Sequence, residues 1–237
     1  MADYGFCFDF DGTIVDSISI VWKIQDAILN KYEIERTEAL DKKIEAKIDE
    51  ILQGENRKKI GKPIMIAIFK LLGLNFFQRI RALLLAGKIW KELSPQIALI
   101  DGAQEALQFL EKEKIPYTII TTSSTLEVAD RLEEKYPGLY EKLKERIIAR
   151  DNVLNLKPHP EGIEKAAEIM EVPIDHCIMV GDMRADIELG KNVGALTIGV
   201  LTGFLNKNQF KKLGADFILD SIAEIPTIID KVEEKVN

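Results

Sequence analysis

The sequence predicts an α/β protein: a parallel sheet covered by helices on both faces, interrupted after its first strand by an all-helical insertion. Three observations lead there. A short aromatic strand, Phe6-Cys7-Phe8, stands near the N-terminus and runs into Asp9-Phe10-Asp11-Gly12-Thr13. From about residue 95 onward, short apolar runs alternate with amphipathic helical stretches, which is the pattern of strand–helix–strand units. Between these two regions the apolar residues recur only at helical spacing. The expected division is a core formed by residues 1–15 and 95–237 and a helical domain formed by 16–94.

Composition agrees with a substantial core. Of 237 residues, 46% are hydrophobic and 30% charged, the balance of a globular chain. Thirty-two basic residues against 39 acidic ones give a formal charge of -7, which argues against nucleic acid as a partner. No basic leader precedes the first strand, so a cytoplasmic location is expected. The longest apolar run, around Ile64 to Phe77, is broken by Lys70 and Asn75 and is too short to cross a bilayer, so no membrane partner is expected. Cys7 and Cys177 both lie in apolar strand-like segments and read as buried thiols.

Taken in order, Asp16-Ser17 is a helix start, followed by Ile20, Ile24, Ala27 and Ile28 on one helical face. Leu40, Ile44, Ile48, Ile51 and Leu52 repeat at helical intervals through about Gln53. Gly61-Lys62-Pro63 breaks the pattern, and two further helices run through Leu72 and Trp90. Asp101-Gly102 opens the next helix, with Ala106, Leu107 and Leu110 inward, and Tyr117 to Thr121 forms a strand. Then come a helix (about Leu126 to Lys135), a strand (Arg146 to Ala149), a helix (Pro160 to Met170), a strand (Cys177 to Val180) and a helix (Ala185 to Asn192). Leu196 to Val200 and Asp216 to Leu219 supply two more strands, and Ile222 to Val236 closes as a helix.

Ligands of open parallel sheets sit beyond the carboxyl ends of the strands. The residues expected there are Asp9 and Asp11, then Thr121, Thr122 and Ser123, then Lys157, and finally Asp182 with Asp186. Residues i and i+2 of an extended segment leave the same side, so Asp9 and Asp11 are expected to converge where the strand stops. Neighbouring carboxylates repel, and a hard divalent cation with oxygen ligands relieves them. Asp9, Asp11 and Asp182 are therefore the candidate ligands of a magnesium ion. With its charge screened, Asp9 is a candidate nucleophile toward phosphorus, and Asp11 a candidate proton carrier. Thr121, Gly12 and the amides of the second turn are candidate phosphoryl contacts, and Lys157 offsets charge on the same group. Asp186, four residues after Asp182, is expected to orient the ion's waters or Lys157.

The series Asp-Phe-Asp-Gly-Thr, strand-Thr-Thr, Lys-Pro-His-Pro and Gly-Asp-Met-Arg-Ala-Asp, in that order, resembles the four motifs of the haloacid dehalogenase superfamily. The likeness covers the whole sheet domain and implies a Rossmann-like core. The helical insertion resembles the cap of the phosphoglycolate phosphatase and β-phosphoglucomutase branch, which implies that it reads the leaving group of a small phosphorylated substrate. Retention of Asp11 favours phosphate-ester chemistry over dehalogenation. Relatives usually carry Asn after the second-motif hydroxyl, whereas this chain has Thr122, whose backbone amide remains able to bind phosphate. In the insertion, Arg57, Lys58, Lys59 and Lys62 are basic, and Lys62 and Arg57 are the candidate specificity residues. The implied activity is a magnesium-dependent phosphatase working through an aspartyl-phosphate. The alternatives are a phosphosugar mutase or a non-catalytic binding module on the same fold.

Overall fold

The computed structural model describes residues 3–52 and 61–236. The chain divides into two compact units, Met1–Ile18 with Gln96–Asn237, and Ser19–Pro95.

The first unit is built on a six-stranded, all-parallel sheet. Its strands are β1 (Gly5–Phe8), β2 (Tyr117–Ile120), β3 (Ile147–Ile148), β4 (Cys177–Gly181), β5 (Leu196–Val200) and β6 (Phe217–Leu219), in the order β3-β2-β1-β4-β5-β6. Burial of both faces explains why the strands read as continuous apolar runs rather than alternating ones. On β1, Phe6 and Phe8 stack on one face with centroids 5.7 Å apart, and Tyr117 meets Phe8 edge-on. Cys7 on the other face joins Ile163, Met179 and Cys177 in a fully buried cluster, and both cysteines are free thiols.

The chain leaves β1 to one side to form β2 and β3, and then returns across it to β4. The sheet order therefore reverses beside β1, and the crevice beyond its carboxyl end lies between the turns after β1 and β4. Asp9 is locked at that edge by its amide, which donates to the Val180 carbonyl at 2.8 Å.

Both ends of the connection between the units are ordered in the first unit. Asp16 donates to the Ala98 carbonyl and Ile100 to the Ile14 carbonyl, while Val15 bridges Leu99. The second unit is helical: most of α1 (Ile18–Lys31), then α2 (Glu38–Leu52), α3 (Gly61–Leu71) and α4 (Phe76–Leu93). Asn75 caps α4 in a reciprocal box with Gln78, whose carbonyl also accepts from the Tyr32 hydroxyl. Ile24, Ile28, Ile44, Phe69 and Ala82 are among its buried residues.

The sheet is flanked by α5 (Ala103–Lys112), α6 (Thr125–Lys135), α7 (Leu139–Leu143), α8 (Glu161–Met170), α9 (Arg184–Asn192), α10 (Lys207–Leu213) and α11 (Ile225–Val236). Two of these are absent from the sequence reading. α7 and α10 are only five and seven residues long, too short for a periodic apolar stripe to declare itself. α10 is set by the Asn206 cap and by Phe210, which is fully buried with Ile187 and Leu205. A further correction concerns Gly61-Lys62-Pro63. It is the first turn of α3 and not a loop, because proline lacks the amide that a first turn leaves unpaired. Arg57 lies outside the described residues.

Gly199 on β5 packs directly against Phe210: a Cβ there would stand 2.4 Å from the ring. Gly199→Ala is expected to cost about 1–3 kcal/mol, the size of overpacking in a filled core, read as a lowered urea midpoint with unchanged slope.

Candidate active site

Each candidate side chain is presented by a turn that follows a strand, and the local sequence explains each turn. After β1 the backbone bends at Gly12, whose φ of +81° suits glycine; a Cβ there would stand 2.7 Å from an Asp182 oxygen. After β4, Asp182 is held from a distance by the loop that leaves β5. Phe204 N–H donates to its Oδ2 at 3.1 Å, and a Cβ on Gly203 would overlap it at 1.7 Å. The same loop is tied to the first turn by the Thr202 hydroxyl, which donates to the Gly12 carbonyl at 2.5 Å. Asp186, in the first turn of α9, accepts from the Met183 amide at 3.0 Å, which fixes that helix start. The loop carrying Lys157 is shaped by Glu161, whose carboxylate accepts from the amides of Leu154 and Asn155, both at 2.8 Å. These bonds, led by that from Leu154, pull the Glu161 carboxyl down to about 2.

Together these turns close a buried cluster. The ligand atoms of Asp9, Asp182 and Asp186 all lie within 4.8 Å of one another. Lys157 stands among them, its ammonium 2.5 Å from Asp9 and 2.6 Å from Asp186, with a side chain only 5% exposed. Burial works against the charge on Lys157, but Asp186 and Asp9 outweigh it and hold its ammonium above the usual lysine range. Burial pushes the Asp9 carboxyl up to about 7; the Lys157 charge pulls the other way, and Asp186 and Asp11 add to the rise. Asp182 is raised as well, first by burial and then by Asp9 and Asp186.

Asp11, expected as a third ligand with Asp9 and Asp182, is not part of this group, although its charge adds to the rise of Asp9. Its Oδ1 pairs with the Arg131 guanidinium and its Oδ2 accepts from the Ser123 hydroxyl at 2.8 Å. Burial would raise the Asp11 carboxyl. The Arg131 charge and hydrogen bonds from Arg131, Ser17 and Ser123 outweigh it and hold the group below the usual carboxylate range.

Thr121 is buried at the end of β2, with its hydroxyl accepting from the Ser123 amide at 3.0 Å. Thr122 is exposed, and its carbonyl accepts from Arg150. Lys62 falls in α3, in the second compact unit.

Arg131 was not singled out by sequence reasoning, although a signal existed. On α6 it falls at i+3 from Val128 and beside Leu132, both fully buried, so it is a charged residue on an inward-facing stripe. The Thr202 to Phe204 loop carried no comparable signal, because nothing in its sequence points at Asp182.

The donor set fits a hard cation. It offers three carboxylates and no sulfur or imidazole, and the buried Oδ1 of Asp182 has no hydrogen-bond partner among the described residues. Such an atom is costly unless a ligand reaches it.

A parallel sheet with its order reversed beside β1, and acids gathered at that reversal, fits a hydrolase of the haloacid dehalogenase type. Residues 6–200 match the family described as haloacid dehalogenase-like hydrolase, and the chain belongs to it. It is an enzyme of the phosphatase class. Pyrophosphatase PpaX of Listeria innocua is 26% identical over 222 residues, 94% of both chains. Among solved structures, a HAD-family hydrolase of Deinococcus radiodurans with bound phosphate and sodium superposes with a TM-score of 0.74 at 20% identity, covering 98% of each chain. A predicted phosphoglycolate phosphatase of Haemophilus somnus gives a TM-score of 0.69 at 18% identity, covering 96% of this chain and 99% of that one.

An acid whose folded pKa lies above its unfolded value is destabilising once ionised. For Asp9 that penalty grows as pH rises from about 4, the unfolded value, toward about 7. A divalent cation relieves it and competes with protons for the same oxygens. The thermal shift given by millimolar magnesium is therefore expected to increase from pH 5 to pH 8, and to be largely lost in Asp182→Asn. A shift independent of pH, or retained in that variant, would place cation binding elsewhere.

Proposed function

We propose that this phosphatase is magnesium-dependent and hydrolyses small phosphorylated metabolites through an aspartyl-phosphate on Asp9. The observation that carries the reading is the buried group of Asp9, Asp182 and Asp186 closed around Lys157, with one Asp182 oxygen unpartnered among the described residues. Asp9, Asp182 and Asp186 would hold the ion, which when bound supplies charge neutralisation for the acids and for phosphoryl oxygens.

Asp9 attacks phosphorus: a bond from its carboxylate oxygen forms as the bond to the leaving oxygen breaks. Lys157, fixed by Asp186, offsets charge on the transferred group, and the turn at Thr121 and Thr122 offers amides to its oxygens. Asp11 moves the proton. Arg131 and Ser123 keep it ionised in the free protein, the state that takes a proton from the attacking water. Entry of an anionic substrate beside it favours its protonated form, the state that gives a proton to the leaving oxygen. Water then cleaves the aspartyl-phosphate and frees orthophosphate.

The PpaX relatives are pyrophosphatases by name, so inorganic pyrophosphate joins phosphoglycolate and sugar phosphates in the candidate substrate class. The test is orthophosphate release from a panel of these compounds, with magnesium and with chelator. Magnesium-dependent release that falls on the order of 10⁴-fold in Asp9→Asn is the expected outcome. Absence of release from every compound by folded, magnesium-loaded protein would overturn the reading. Transfer of the phosphoryl group back to a sugar, with little free orthophosphate, would favour a mutase.

A further inference from the structure

Two cations reach the acids at the strand ends, and they differ in setting. Lys157 is enclosed between Asp9 and Asp186, side chains that are 7% and 1% exposed. Arg131 meets Asp11, the most open of the three paired acids, with 27% of its side chain exposed. Arg131 itself is only 12% exposed and is fixed from several sides. α6 begins at a reciprocal Ser124–Glu127 cap, Val128 and Leu132 anchor its inner face, and the guanidinium lies 6.0 Å from the centre of the Phe10 ring. Its Nη1 also reaches the Ser123 hydroxyl at 3.4 Å. A guanidinium held against a partly open carboxylate beside the acid group is suited to carboxylate or phosphoryl oxygens, because its planar fork matches both.

Asp11 marks the leaving-group side, since the proton it carries goes to the leaving oxygen. Whatever is bound to Asp11 therefore stands beside the leaving group. The chain is acidic overall, at -7, and brings at least four carboxylates to this edge, so a substrate with charge on both sides of the scissile bond needs a second local cation. Lys157 serves the transferred phosphoryl group and is committed to two acids. On the reading of the chain as an Asp9 phosphatase, we propose that Arg131 is a specificity residue that binds a second anionic group, phosphoryl or carboxylate, on the leaving group. The incoming oxygen replaces Asp11 on the guanidinium and leaves Asp11 beside the scissile oxygen. Substrates of this class include inorganic pyrophosphate, whose bridging P–O bond breaks as Asp9 bonds to one phosphorus, the other leaving as orthophosphate with the proton from Asp11.

The test compares wild type, Arg131→Gln and Arg131→Lys on three substrates: inorganic pyrophosphate, phosphoglycolate, and p-nitrophenyl phosphate, whose leaving group carries no second anion. Arg131→Gln is expected to lose about 10- to 100-fold more in kcat/KM on the first two, the size of one charge-assisted hydrogen bond, than on the third, where only the support that Arg131 gives to Asp11 is removed. Arg131→Lys recovers part of the loss. Loss on pyrophosphate alone narrows the second anion to phosphoryl; loss on both keeps the wider class. Equal loss on all three substrates would reduce Arg131 to a support for Asp11, and no loss would reduce it to a rim ion pair; either overturns the proposal. Inactivity of wild type on all three sinks the phosphatase reading separately. Calorimetry with inorganic pyrophosphate and orthophosphate in magnesium buffer, with both proteins carrying Asp9→Asn so that pyrophosphate is not turned over, then decides the role of Arg131. A preference for pyrophosphate that vanishes in Arg131→Gln sustains it, and equal binding by both proteins overturns it.

Discussion

Lys157, clasped by Asp9 and Asp186, is the interaction on which the rest of the site depends. It brings together residues from three distant parts of the chain at the carboxyl edge of one sheet. Three carboxylates and one ammonium, all nearly closed to water, leave a net negative charge in a medium that solvates it poorly. Such a cluster is not a source of stability by itself. It persists because the sheet around it is fully packed and because two of the acids are anchored by backbone amides, Asp182 by Phe204 and Asp186 by Met183.

The imbalance has a chemical use. In the proposed reaction, a buried acid raised toward neutrality, beside a lysine whose positive charge is reinforced, would serve as nucleophile and electrostatic partner in one small volume. Asp11, two residues away, has the opposite environment. Its oxygens are taken by Arg131 and Ser123, and it is held ionised. The single bend at Gly12 follows two neighbouring acids with different electrostatic settings, the difference on which the proposed division between attack and proton transfer rests.

Glycine makes the close approach possible. Gly12 and Gly203 both press against Asp182, where any side chain would collide with the carboxylate. The Thr202 bond to the Gly12 carbonyl couples the loops after β5 and β1, so the shape of the first turn depends on a segment nearly two hundred residues later.

Much of this was legible in the sequence. Short apolar runs alternating with amphipathic helices specify a covered parallel sheet, because strands buried on both faces leave no polar alternation. Acids, hydroxyls and a lysine placed just after those runs specify which edge carries the chemistry. The sequence by itself thus determined the fold class and placed Asp9, Lys157, Asp182 and Asp186 just beyond its apolar runs. Only the tertiary structure decided which acids share a cluster and which one stands apart. The third member of the acid group, Asp186 and not Asp11, could not be chosen from the sequence because it is set by how α9 packs on the sheet that carries β1. Arg131 and the Thr202 to Phe204 loop were missed because their partners lie 120 and about 20 residues away along the chain. Local periodicity reports which face a residue occupies; the identity of its neighbour follows from sheet order and packing, which one residue's near neighbours do not encode.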